Sequence, residues 1–397
     1  MVYIQRLVSD IGGIILRRFT EEEKLQILAD LIAIKSVNEN EIEVANYLKD
    51  LFAEYGIESK IVPVTETRVN LVAEIGSGSP VIGISGHMDV VSAGDEREWT
   101  SDPFVMTERD GNLYGRGTND MKAGLVNLAL TMIEFKANNE LKNGTVRFMA
   151  TTGEEVGGAG SKKLYEEGYM DDVDYLWVAE PSPETIIYSH KGSLNFRITS
   201  LGEAAHSSMP HHGYNAINPI MKYLLELDEK LNNDPRSNEV LGKLVMSTTI
   251  LNAGNQVNSV PEKAVAEINV RTIAEFDNDE VIALFKETAE KYNQEGSKIE
   301  VKVTMSLPSV FTTGKSDMVE LTKELGKKHL DLDIKVEGSP GVTDASNLLR
   351  GKDASFPFMM YGPGETKMAH KTDEYVRKDY YLAFFDIYRE LILGLTK

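Results

Sequence analysis

The 397-residue chain contains no cysteine, which excludes disulfides and thiolate metal sites together. Any metal must therefore be held by His, Asp and Glu. No apolar run approaches the ~20 residues that a membrane-spanning helix requires. Basic residues are in deficit: 42 Lys and Arg stand against 62 Asp and Glu, a net charge of −20. That imbalance argues against partners such as nucleic acid or an anionic membrane surface. The Gly-rich turn Gly115-Arg116-Gly117 makes a poor phosphate site, because no G-x-x-x-x-G-K-[ST] or G-x-G-x-x-G pattern follows a strand.

What is present is the profile of a soluble globular protein, 42% hydrophobic and 26% charged, at a length that favours two domains. In Met1 to Phe19 a short apolar patch, Ile11 to Leu16, follows Asp10. A secretory signal has a longer apolar region and a small-residue cleavage site, so this segment reads as a cytoplasmic extension. Thr20 and Glu23 form a capping box ahead of Leu25, Leu28, Leu31 and Ile32 at helical spacing. A second amphipathic helix is expected from about Glu41 to Tyr55, stopping at Gly56.

Short apolar runs then alternate with helical stretches, as in an α/β sheet covered by helices. The clearest strands are Val81 to Ser85, Thr145 to Ala150, Tyr175 to Ala179 and Phe356 to Tyr361. Between Gly192 and Leu307 the order becomes strand, helix (about Ala216 to Leu231), strand, strand, helix (about Asp277 to Tyr292), strand. That order suits an inserted α+β module with an antiparallel sheet. The expected division is 1–191 with 308–397 for the larger, discontinuous domain and 192–307 for the insert.

The chemistry-bearing residues sit at strand ends. Val81 to Ser85 runs into Gly86-His87-Met88-Asp89, and Thr145 to Ala150 into Gly153-Glu154-Glu155. Tyr175 to Ala179 ends in Glu180-Pro181, and Phe356 to Tyr361 leads through Gly362-Pro363-Gly364 to His370. Asp120 follows the Gly-rich turn and precedes a helix starting near Ala123. Open α/β sheets build their sites at the carboxyl ends of strands, so five segments deliver His, Asp, Glu, Glu and His to one edge. Each piece alone has an ordinary explanation: a chance His-x-Asp, a solvated Glu pair, a capping Glu, a surface His. Together, two histidines and three carboxylates suit borderline or hard divalent ions, and a shared carboxylate (Asp120) would let two metals use all five.

The segments Gly86-His87-Met88-Asp89, Gly115-Arg116-Gly117-Thr118-Asn119-Asp120-Met121-Lys122, Gly153-Glu154-Glu155-Val156-Gly157-Gly158, Ala179-Glu180-Pro181 and Ala369-His370 resemble the zinc aminoacylase and carboxypeptidase family of metallopeptidases. The resemblance covers nearly the whole chain after Thr20, in the family's order and spacing. It implies a phosphorylase/hydrolase-like catalytic domain with a mostly parallel mixed sheet covered by helices, plus an inserted ferredoxin-like α+β lid and dimerisation domain. It also implies two Zn²⁺ per subunit, with Co²⁺ or Mn²⁺ as possible occupants. Asp120 would bridge them, His87 and Glu180 would complete one site, and Glu155 and His370 the other. Asp89 would accept the second ring N–H of His87, Glu154 would be the general base, and a non-proline cis peptide would follow Asp120. His206 would supply an oxyanion donor, reaching the other subunit of a homodimer.

For substrate carboxylates the candidates are Lys191, Asn258 and Arg271, with Gly341 and Thr343 in a loop that contacts substrate in the family. Unaided, Gly341 to Asp344 reads as a turn and a helix cap. Where some family members carry arginine, Lys191 stands here, a point charge in place of a bidentate fork. The expected substrate is a small N-acyl amino acid, first N-succinyl-LL-2,6-diaminopimelate, with acetylornithine and dipeptides as rivals. A non-catalytic binding protein on the same fold would have lost a ligand or the base, and all those positions are filled.

Overall fold

The computed structural model describes residues 8–11 and 14–397, so part of the N-terminal extension expected over Met1 to Phe19 lies outside the described residues. Two compact units result. One comprises residues 1–188, 312–337 and 343–397, and the other residues 189–311 and 338–342.

In the first unit the site-bearing strands are the most thoroughly buried. Val81–His87 and Gly144–Thr151 are covered at every position, as parallel strands sandwiched between helices must be. Val81–His87 pairs in parallel with Gly144–Thr151 on one side and Tyr175–Pro181 on the other, and Phe358–Gly362 pairs in parallel with Tyr175–Pro181. With the antiparallel strands that flank these four the sheet is mixed, which corrects the expectation of a mostly parallel sheet. Val69–Ser77 and Ser59–Pro63 add antiparallel at one side, and Thr185–His190 meets Phe358–Gly362 antiparallel at the other. The flanking strands follow short links that reverse the chain, whereas parallel neighbours need long crossovers.

The helix Ala123–Asn138 is buried continuously from Ala123 to Phe135, the pattern of a helix covered on all sides. It packs on the C-terminal helix Lys378–Leu395 and on the strand Val81–His87. Gly124 permits its close approach to the sheet, since a Cβ there would stand 2.3 Å from the Ala179 carbonyl oxygen. The capping box forms as the sequence requires: Glu23 N–H donates to Thr20 Oγ1 at 3.1 Å and Thr20 N–H to Glu23 Oε2 at 2.8 Å. The second helix, Glu41–Glu54, stops before Gly56 at φ 67°.

The second unit begins at residue 189 and ends at 311, slightly wider than 192–307, and takes in residues 338–342 because Lys191 N–H donates to the Ser339 carbonyl at 3.1 Å. Its strands Ser193–Leu201, Val245–Ala253, Lys263–Arg271 and Ile299–Leu307 and its helices Ile217–Asn232 and Asn278–Gln294 follow the order read from the sequence. The sheet is antiparallel, with Ser193–Leu201 between Lys263–Arg271 and Ile299–Leu307, and Val245–Ala253 at an edge. Both helices cover one face, where the rings of Phe196 and Phe285 stack at 4.0 Å. No helix among the described residues is long and apolar enough to cross a membrane.

His190 belongs to the second unit and is fully buried, its Nδ1 2.9 Å from the Lys191 carbonyl oxygen. Burial, with a smaller contribution from the Arg271 charge, lowers its pKa from 6.5 to about 4. As pH falls, the unfolded chain takes up this proton first. The stabilisation is therefore complete above pH 6.5 and is lost towards about pH 4. Its full size is on the order of 3 kcal/mol. Urea unfolding of wild type and His190→Gln between about pH 7 and about pH 4 should show a steeper acid loss in the wild type, and parallel profiles would contradict this assignment.

Candidate metal centre

The carboxyl ends of the four parallel strands, with the turn at Asp120, bring seven of the sequence candidates together within the first unit. His87 ends its strand almost completely buried, its Nε2 3.0 Å from Asp120 Oδ1 and 3.8 Å from Glu180 Oε1. On the other side His370 Nε2 stands 3.0 Å from Glu155 Oε2 and 3.7 Å from Asp120 Oδ2. Asp120 thus faces one histidine with each oxygen. One ligand atom each from His87, Asp120 and Glu155 falls within 4.8 Å of the others. Glu155 Oε1 and Glu180 Oε1 are buried without a hydrogen-bond partner. Orphaned carboxylate oxygens are costly away from water unless a cation or donor meets them, so the residues present fit divalent metal.

Asp120 sits in the turn Thr118–Lys122, and the Asp120–Met121 peptide is cis, as the resemblance implied. Behind the turn lies Glu374, fully buried, which sequence reasoning missed. One of its carboxylate oxygens accepts the N–H groups of Gly117 (3.1 Å), Asn119 (2.8 Å) and Asp120 (2.9 Å), and Arg116 pairs with the other. Lys122, also missed, donates to the carbonyls of Leu31 (2.8 Å) and Ile34 (2.9 Å) at the end of the helix Glu21–Ala33. A cation there meets the negative end of the helix dipole, while burial lowers its pKa to about 7.

Asp89 corrects an expectation. The atom nearest His87 Nδ1 is its backbone carbonyl at 2.8 Å, while its carboxylate stands 3.8 Å away. The carboxylate accepts instead from Gly153 N–H (2.9 Å), Glu154 N–H (3.2 Å) and Glu155 N–H (3.2 Å). A buried carboxylate able to collect three amides of a tight turn is better satisfied there than by one ring N–H. Asp89 therefore holds the Glu154-Glu155 turn, with Gly153 at φ 74°, a conformation that glycine adopts without penalty.

The clustered charges shift one another. Burial raises Glu154 well above the ordinary carboxylate range; the charge of His87 opposes this, and Glu180, Asp344 and Glu155 add to it. Glu180 is raised in the same way, by burial first and then against His87 by Asp120 and Glu155. Burial works against a charged His87, yet its hydrogen bond to Asp120 and the charges of Glu180, Asp120 and Glu154 raise it well above 6.5. His370 is raised chiefly by its bond to Glu155. These directions belong to the metal-free pocket, and cations would favour the ionised carboxylates and neutral imidazoles.

Asp344 was expected as a cap, but its side chain caps nothing. Fully buried, it accepts from Thr151 Oγ1 at 2.5 Å, and burial raises its pKa to about 6. Thr343, in the first unit, is buried, with Oγ1 near Met360 Sδ.

The remaining candidates lie in the second unit. His206 is exposed, its Nδ1 2.8 Å from Ser208 Oγ. It shares a loop pair with Asn258, because Ser207 N–H donates to the Asn258 carbonyl at 3.0 Å. Lys191 Nζ donates to the Lys243 carbonyl at 2.6 Å. Burial and the Arg271 charge lower its pKa. Arg271 Nε donates to Asn269 Oδ1 at 3.1 Å, and Gly341 N–H to Ser339 Oγ at 3.0 Å.

Carboxylates and histidines converging at the carboxyl ends of parallel strands define a metal-dependent hydrolase. The model of peptidase family M20/M25/M40 matches residues 83–394, and the chain belongs to that family, as a metal-dependent amidohydrolase. A Staphylococcus epidermidis protein named "probable succinyl-diaminopimelate desuccinylase" is 41% identical over 400 residues, covering 94% of this chain and 97% of that protein. Among solved structures, an M20-family metallo-carboxypeptidase from Sulfolobus solfataricus superposes with a TM-score of 0.79 at 20% identity, covering 94% of this chain and 99% of that one. A dinuclear metal-binding peptidase of the M20 family from Bacillus subtilis superposes with a TM-score of 0.66 at 22% identity, covering 94% and 97%. These two share the fold.

Metal that binds only the folded pocket stabilises it by mass action, by about 4 kcal/mol when free metal is a thousandfold above Kd. Adding Zn²⁺ or Co²⁺ to chelator-stripped protein should raise the midpoint of thermal unfolding, and renewed chelation should reverse the rise. An unmoved midpoint across the titration would count against a metal centre.

Proposed function

We propose that the chain hydrolyses N-succinyl-LL-2,6-diaminopimelate to succinate and LL-2,6-diaminopimelate. The substrate assignment rests on the 41% identity, over nearly the full chain, with a protein carrying the desuccinylase name. The two-metal reading rests on Asp120, with one oxygen 3.0 Å from His87 and the other 3.7 Å from His370. In this reading His87, Asp120 and Glu180 hold one cation and Asp120, Glu155 and His370 the other. Zinc suits this donor set, and cobalt or manganese also fit it.

The cations, when bound, supply Lewis acidity that polarises the amide carbonyl and makes water more acidic. The rest falls to the chain. Glu154 takes a proton from the attacking water as its oxygen bonds to the carbonyl carbon. As the C–N bond breaks, Glu154 hands that proton to the departing nitrogen. A carboxyl whose pKa is raised by burial and neighbouring carboxylates suits both transfers. Asp89 keeps Glu154 in place through the turn amides. Asn258, Gly341 and Thr343 are proposed to bind substrate. Lys191 and Arg271, two cations close enough that one lowers the pKa of the other, are proposed partners for its carboxylates. The reaction belongs to lysine and cell-wall precursor synthesis, and the cytoplasm is the compartment proposed with it.

The second unit is proposed as a ferredoxin-like lid and dimerisation module, with His206 donating to the oxyanion in its partner's site. Supporting this, Val245–Ala253 is a long edge strand whose Val245, Ile250 and Leu251 are exposed, and Met221 and Leu225 stand exposed on the adjacent helix. An open apolar edge of this kind is a template for pairing with another chain.

Three measurements test these readings. Glu154→Ala should retain its metal and lose roughly 10²–10⁴-fold in kcat on the succinyl substrate. Turnover of N-acetylornithine or a dipeptide, with none of the succinyl compound, would reassign the substrate. Leu225→Glu combined with Ile250→Lys should convert a dimer to monomer in sedimentation and depress turnover with it. A monomeric wild type, or a variant that stays dimeric, would remove the dimer proposal.

A further inference from the structure

We infer that Glu374 is a positioning residue that fixes the Asp120 turn relative to His370, and so governs occupancy of the second cation site. This rests on the two-metal reading above. Glu374 lies four residues after His370 and is fully buried. Its carboxylate gathers the amides of Gly117, Asn119 and Asp120 at 2.8–3.1 Å. Its own carbonyl accepts from Gly115 N–H at 3.0 Å, so both ends of the turn are tied to one residue.

The anchor is itself held. Arg116 pairs with the carboxylate, donates to the Ser92 carbonyl at 3.2 Å and lies over the Trp99 ring. Next to it, the Asp373 carboxylate accepts from Thr100 N–H at 2.8 Å and Thr100 Oγ1 at 2.6 Å. The five residues from His370 to Glu374 thus carry a ligand at one end and the anchor of a second ligand at the other. His370 itself is half exposed and stands at φ 62°, so its distance to Asp120 depends on how this segment is tied down. His87 and Glu180 sit on the buried sheet strands Val81–His87 and Tyr175–Pro181, outside the segments that Glu374 ties together.

The consequence is asymmetric. Loosening Glu374 should weaken the cation held by Asp120, Glu155 and His370 more than the one held by His87, Asp120 and Glu180, because only the former takes two ligands, Asp120 and His370, from the segments that Glu374 ties together. Loss of an outer partner of metal ligands typically costs 10–100-fold in affinity.

The test is Zn²⁺ titration of the stripped full-length protein against a competing chelator, with wild type, Glu374→Gln and Glu374→Asp. Gln removes the charge that Arg116 and the amides require, while Asp keeps the charge on a shorter arm. The expected result is a tight first equivalent in all three proteins and a second equivalent weakened roughly 10–100-fold in the variants, less in Asp than in Gln. Both equivalents unchanged, or both weakened alike, would overturn the inference. A wild type that takes up only one ion would instead overturn the two-metal reading beneath it. A readout needing no variant is amide exchange in metal-free wild type: Gly117, Asn119 and Asp120 should exchange slowly, and rapid exchange there overturns the anchor even if neither variant folds.

Discussion

Four carboxylates, from Asp120, Glu154, Glu155 and Glu180, are held against two histidines at the end of a buried sheet. The pocket depends on the forces that keep those groups together despite their mutual repulsion. Left to themselves they would separate or take up protons, because burial and like charge both disfavour the ionised forms. What opposes this is rigid backbone. The parallel strands deliver His87 and Glu180 from the buried sheet, His87 paired with Thr151 and Glu180 at a break in register beside Pro181. Two buried carboxylates outside the ligand set, Asp89 and Glu374, grip the turns that carry the rest. Each collects three amides, Asp89 those of Gly153, Glu154 and Glu155, Glu374 those of Gly117, Asn119 and Asp120. The same device is used twice to support a dense charge cluster.

The orphaned oxygens of Glu155 and Glu180 and the raised pKa values of Glu154 and Glu180 express one condition. The pocket is arranged for positive charge. A protein whose net charge is −20 does not gain this from its overall field, which salt screens beyond ~8–10 Å. The arrangement is local, set by the strand ends and turns that surround Asp120. Close approaches around the cluster follow the same logic: Gly364 lies where a Cβ would come within 2.5 Å of the Asn119 carbonyl, so the loop leading to His370 can be laid directly on the turn.

Much of the first unit was legible in the residues. The apolar runs before His87, Glu154-Glu155 and Glu180 became buried strands ending at His87, Thr151 and Pro181, because a strand covered on both faces leaves an unbroken hydrophobic signature. The capping box at Thr20 and the alternation of strands and helices over 193–307 were equally plain, since both depend on residues close in sequence. The direction of the flanking strands was not legible. Apolar periodicity carries no information about whether neighbours run parallel, and here the short links decided it.

What the sequence determined by itself was the set of chemical groups and the local elements that carry them: His87, Asp120, Glu155, Glu180 and His370, each beside a strand end or a glycine-rich turn. What only the tertiary structure decided was which buried polar group answers which. Asp89 stands two residues from His87 yet spends its carboxylate on the amides of a turn more than sixty residues away. Glu374 had no local pattern to mark it, and it supports Asp120 from more than two hundred and fifty residues downstream. A buried carboxylate takes the best donors within reach, and reach is a property of the folded chain, not of spacing along it.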